Sequence, residues 1–76
     1  MDLPINYFKQ ALKSDQPQYG LWMGLPDTIC AEIGASAGFD WVLVDAEHAP
    51  YSVRDVHNHL QAIAPYNVPA IVRPAE

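Results

Sequence analysis

The chain has 76 residues, 50% of them hydrophobic and 17% charged, so it makes at most one domain and buries only about 60% of its unfolded surface. A mean hydropathy of -0.06 is too apolar for disorder, and no apolar run approaches the roughly 20 residues that cross a bilayer. Nine acidic against four basic residues, a net charge of -5, leave no positive footprint for a phosphate backbone, so neither a nucleic acid nor a membrane is expected as partner.

Ile5, Phe8 and Leu12 recur at helical spacing between Ile5 and Ser14, with Lys9 and Lys13 on the other side, which predicts a short leading helix. Pro17 breaks it, and Tyr19 to Met23 reads as a first strand closed by Gly24. Asp27 is placed to cap a second helix that turns Ile29, Cys30 and Ile33 inward and stops at Gly38. Trp41-Val42-Leu43-Val44 is a continuous apolar run, the pattern of a strand buried on both faces. Ser52 with Asp55 three residues on resembles a capping box, and Val53, Val56, Leu60 and Ile63 continue a helical stripe that Pro65 ends. Ala70-Ile71-Val72 is a third strand running into Arg73.

This order is a leading helix and two successive βαβ units, for which parallel strands and right-handed crossovers are expected. Three such strands leave open sheet edges and a partial core, whereas a closed eightfold barrel takes about 250 residues. The whole of 1–76 therefore reads as the opening portion of one larger α/β domain that continues past Glu76. Cys30 is the single cysteine and cannot form an internal disulfide, and the start MDLPINYFKQ lacks the basic and apolar regions of a secretory signal, which fits a reducing, cytoplasmic setting.

In parallel α/β folds the chemistry gathers at the strand C-termini. Here those ends supply Trp22, then Asp45, Glu47 and His48, then Arg73. Neighbouring strands lie about 4.8 Å apart, close enough for these side chains to line one cavity. An imidazole that can move a proton, carboxylates that can orient it and a guanidinium that can grip a carboxylate or oxyanion suit a small anionic substrate. The same types also make ordinary loop hydrogen bonds and ion pairs, and Trp22 reads first as a packing residue. His57 and His59, about 200° apart on a helix, cannot share a metal and read as surface residues, while Cys30 reads as a packed thiol. No glycine-rich phosphate loop and no His pair at metal-binding spacing occurs.

Gly20-Leu21-Trp22-Met23-Gly24-Leu25, Ala37-Gly38-Phe39-Asp40-Trp41, Asp45-Ala46-Glu47-His48-Ala49-Pro50 and Val72-Arg73-Pro74 together resemble the 4-hydroxy-2-oxoheptanedioate aldolase family, in order and spacing, from the first helix to the last residue. The resemblance implies a (β/α)8 TIM barrel, with this chain covering the first three strands. It also implies a class II aldolase that cleaves 4-hydroxy-2-oxo acids reversibly to pyruvate and an aldehyde. By the resemblance His48 is the catalytic histidine and Arg73 the arginine that stabilises the enolate, with Trp22, Asp45 and Glu47 at the pocket. It further implies a divalent metal cofactor (Mg2+, Mn2+ or Co2+), a small oxo-acid substrate and a homo-oligomer, commonly a hexamer. The family's metal ligands, a Glu and an Asp on later strands, are expected beyond Glu76, so that no metal ligand falls within these residues. Ala46 stands where the family often has glycine. Lys9 and Lys13 both precede the first strand, so within these residues a Schiff-base mechanism has no candidate.

Two other readings stay open. One is a non-catalytic small α/β module, or an inactive fragment, in which Arg73 and His48 bind an organic anion or a protein partner. The other is a different barrel enzyme, such as a phosphosugar isomerase.

Overall fold

A computed structural model describes residues 3–75. The elements follow in the expected order: α1 (Tyr7–Leu12), β1 (Gly20–Met23), α2 (Thr28–Ser36), β2 (Trp41–Asp45), α3 (Val53–Ile63) and β3 (Ala70–Arg73). The three strands form one parallel sheet in the order β1-β2-β3. Gly20 pairs with Trp41 at the start of β1 and β2, and Asp45 pairs with Arg73 at the end of β2 and β3.

Each helix begins where a side chain satisfies its free amides. Asn6 accepts from the Lys9 N–H, and Asp27 accepts from that of Ile29. Ser52 and Asp55 make the full reciprocal box, with the Asp55 N–H donating to Ser52 Oγ and the Ser52 N–H to Asp55 Oδ2. Gly38, just past α2, takes a φ of 95°, the left-handed turn that lets the chain leave the helix for β2. The first helix starts two residues later than its apolar spacing suggested, and Ile5 and Leu12 are exposed. Phe8 is its anchor, meeting the Trp41 ring edge-on at 5.8 Å.

The core lies between the sheet and the two crossover helices, built from Met23, Ala31, Ala35, Val42, Val44, Tyr51 and Ile63. Strand periodicity puts Val42 and Val44 on this face, both fully buried, and Trp41, Leu43 and Asp45 on the other. Trp41 and Leu43 are only half-buried, so β2 is sealed on one face rather than two.

The helix faces differ from expectation in three places. On α2 the inward residues are Ala31, Gly34 and Ala35, while Ile29 and Ile33 are both 64% exposed and Cys30 is intermediate. Small side chains let the helix approach the sheet: a Cβ on Gly34 would lie 2.6 Å from Met23 Cε and 2.8 Å from Leu21 Cδ2. On α3 Val56 and Ile63 face the core, but Val53 is exposed and Leu60 lies at the margin. His59 is fully buried, which corrects its reading as a surface residue.

Candidate functional site

The C-terminal ends of the three strands converge on one carboxylate. Asp45, the last residue of β2, has a buried side chain that takes five donors. Its Oδ1 accepts from the backbone N–H groups of Glu47 (3.0 Å) and His48 (2.9 Å) and from Arg73 Nε (3.0 Å). Its Oδ2 accepts from Trp22 Nε1 (2.9 Å) and Arg73 Nη2 (2.5 Å). Adjacent pairing of Asp45 with Arg73 in the sheet makes the two-pronged contact possible, because it sets the two side chains side by side on one face.

These donors all favour the ionised carboxylate. The Arg73 guanidinium, then the His48 amide, the Trp22 indole and the Glu47 amide, hold Asp45 well below the usual carboxylate range against the opposing effect of burial. Asp45 in turn raises the pKa of Arg73. The guanidinium carbon also sits 4.9 Å from the centre of the Trp22 ring, so Arg73 is held from the side by Asp45 and across its face by an aromatic. Two of its five N–H groups serve Asp45, which leaves others for an anion.

Trp22 is 53% exposed, its indole N–H is spent on Asp45, and its ring stands beside the Arg73 guanidinium. Glu47 and His48 lie on the loop after β2. The bonds from their amides to Asp45 fold the loop back over the strand end, and the Ala46 N–H adds a bond to the Arg73 carbonyl at 2.9 Å. The His48 imidazole is largely exposed and meets Glu47 through Nε2 and Oε1 at 2.9 Å. Trp22, Asp45 and Arg73 are thus in direct side-chain contact, whereas Glu47 and His48 join them through backbone and form a second, outer pair.

The described residues do not by themselves make a metal centre. They assemble no group of three or more His, Cys, Asp or Glu side chains able to hold an ion, and the acid nearest the strand ends has both oxygens filled by N–H donors.

Reasoning from sequence passed over a second polar group close by. Tyr51 Oη donates to the Leu25 carbonyl at 2.6 Å, and His59 Nε2 lies 3.1 Å from each of those two oxygens. The signal was present: His59 follows Val56 by three residues and precedes Ile63 by four, on the buried stripe of α3.

Comparison with known proteins gives a consistent picture. The sequence pattern of the HpcH/HpaI aldolase/citrate lyase family matches residues 18–76. Over all 76 residues the chain is 54% identical to a hydroxypyruvate/pyruvate aldolase of Pseudomonas aeruginosa, covering 28% of that protein. Over 70 residues, 92% of the chain, it is 56% identical to a 4-hydroxy-2-oxo-heptane-1,7-dioate aldolase of Salmonella arizonae, covering 27% of it. Among solved structures, a HpcH/HpaI aldolase/citrate lyase family protein from Burkholderia cenocepacia superposes with a TM-score of 0.80 at 45% identity, over 90% of this chain and 27% of that one. The chain spans under a third of the length of the curated relatives it matches.

Proposed function

The chain belongs to the HpcH/HpaI aldolase/citrate lyase family, and from that premise we propose that its strand ends form part of the site of an aldolase that cleaves 4-hydroxy-2-oxo acids to pyruvate and an aldehyde. The observation that carries the reading is Arg73, clamped by Asp45 and faced by Trp22 at the end of β3, with N–H groups to spare. We place the strands in a (β/α)8 barrel, of which 1–76 is the N-terminal part of a single domain.

Retro-aldol cleavage must remove the proton of the 4-hydroxyl, break the C3–C4 bond and accommodate negative charge on the C2 oxygen of the resulting enolate. Arg73 meets that charge with a guanidinium already oriented, so little reorganisation is needed as the charge develops. His48 takes the hydroxyl proton and returns it to C3, giving pyruvate. Glu47, as acceptor for Nε2–H, selects the tautomer whose Nδ1 lone pair is free for that transfer. A divalent ion held by residues outside those described would supply Lewis acidity at the oxo acid. The hydroxypyruvate/pyruvate aldolase of Pseudomonas aeruginosa supports pyruvate as a reaction partner, and the aldehyde is left to be found.

The test is pyruvate release by the full-length protein from a set of 4-hydroxy-2-oxo acids with divalent ion supplied. His48→Ala should lower turnover by about two orders of magnitude or more. Arg73→Lys should also lose heavily, because an ammonium cannot bond Asp45 with two prongs and still face the oxyanion. Near-normal turnover in either variant would remove that residue from the reaction.

A further inference from the structure

The loop after β1 and the loop after β2 run close together. A Cβ on Gly24 would stand 4.0 Å from that of Ala49, so the two backbones run close together. One residue on, the Leu25 carbonyl receives the Tyr51 hydroxyl at 2.6 Å. His59, reaching up from the second turn of α3, brings Nε2 to 3.1 Å from both. The imidazole also packs at an 84° angle to the Tyr51 ring, with centroids 4.8 Å apart.

The hydrogens in this group can be assigned from its acceptors. A carbonyl only accepts, so the contact from His59 Nε2 to Leu25 requires a hydrogen on Nε2. Nδ1 is buried with no partner; an orphaned acceptor is tolerated more readily than an orphaned N–H, which selects the Nε2–H tautomer. The Tyr51 hydroxyl then gives its own hydrogen to the second lone pair of the same carbonyl. Burial pushes the tyrosine pKa up, which keeps it a donor. One backbone oxygen of the β1 loop is thus held by two side chains, one from the end of the β2 loop and one from α3.

We propose that Tyr51 and His59 are positioning residues that lock the β1 loop to the β2 loop and so set Trp22 and His48 relative to each other. The proposal rests on the aldolase reading for its effect on turnover, but not for the lock itself. Leu25 lies three residues after Trp22, and Tyr51 three residues after His48, so slack at the lock is carried straight to both ends of the site. Cα trace and packing would survive loss of the hydroxyl, since the Tyr51 ring is part of the core.

The experiment uses the full-length protein with Tyr51→Phe, His59→Leu and His59→Gln, followed by amide hydrogen exchange of segments 24–27 and 46–51 and by kcat and KM for pyruvate release. Tyr51→Phe and His59→Leu should each speed exchange in both segments by about tenfold. They should lower kcat by about tenfold to a hundredfold, the order expected from a misplacement of about 1 Å, with KM changing less. Glutamine, whose amide can still donate to Leu25, should recover most of both losses. Faster exchange confined to the segment that carries the substitution, or a lowered melting temperature with wild-type kcat, would overturn the lock. If the wild type releases no pyruvate, the aldolase reading fails while the exchange data still decide whether the two loops are coupled.

Discussion

Asp45 shows how one residue can tie three strand ends together. As a carboxylate it offers acceptors only, and five donors from three strand ends use them. Asparagine keeps the shape but turns one oxygen into an NH2 group, which would face the N–H groups of Trp22 and Arg73 or of Arg73 and the loop. Asp45→Asn should therefore lower turnover of the full-length protein by roughly a hundredfold through misplacement of Arg73. A second consequence follows from charge. Because the folded-state pKa of Asp45 is depressed, chiefly by Arg73, the unfolded chain binds the proton more readily. The stability contributed by Asp45 is complete above the unfolded value near 4, erodes as pH falls below it and is gone once pH has passed the depressed folded value. Urea midpoints between pH 7 and pH 2 should fall more steeply in the wild type than in Asp45→Asn; parallel profiles would mean that the clamp contributes nothing. Strand-end placement alone brought Trp22, Asp45 and Arg73 together in the sequence. What it could not show is that Asp45 is the hub, since that depends on the register of β2 against β3 and on a loop that folds back.

At the level of elements, two glycines mark where backbone and side chain come too close for a methyl group. Gly20 pairs with Trp41, and a Cβ there would overlap the indole. The ring is rigid and also meets Phe8 of α1 in an edge contact, so its displacement would disturb α1. Gly20→Ala should destabilise the full-length protein by about 1–3 kcal/mol. Gly34→Ala meets only the flexible ends of Met23 and Leu21 and gains about 1 kcal/mol of helix propensity, so it should cost less; denaturant midpoints showing the opposite order would refute this account. Gly34 also explains why α2 was legible as a helix but not as to its face. Hydrophobic size pointed Ile29 and Ile33 inward, yet close approach of helix to sheet selects Ala31, Gly34 and Ala35. For α3 the cap at Ser52 and the stop at Pro65 could be read directly, because both act through neighbours in sequence. The spacing of His59 from Val56 and Ile63 marks it as a buried-face residue, but its partners could not be read, because they are the Tyr51 hydroxyl and the Leu25 carbonyl, the latter 34 residues away.

For the whole molecule the question is whether this three-stranded unit stands alone. Its core among the described residues consists of seven side chains, two of them alanine. Both outer edges of the sheet carry unpaired backbone groups, since β1 and β3 each pair only with β2 among the described residues. Large apolar side chains lie open on the loop after β1 and on α2, Leu25 at 65% and Ile29 and Ile33 at 64%. A barrel would answer each of these at once, pairing β1 and β3 with further strands and setting further helices beside α2 and α3. Residues 1–76 produced as an isolated polypeptide should then lack a cooperative thermal transition and should self-associate through the open edges, whereas in the full-length protein the amides of β3 should exchange as slowly as those of β2. A monomeric 76-residue chain with a sharp transition would point the other way. It would show that the Asp45 clamp and the Tyr51–His59 lock are enough to hold three strands together, and would favour an independent anion-binding module built on Arg73 over a share in an aldolase barrel.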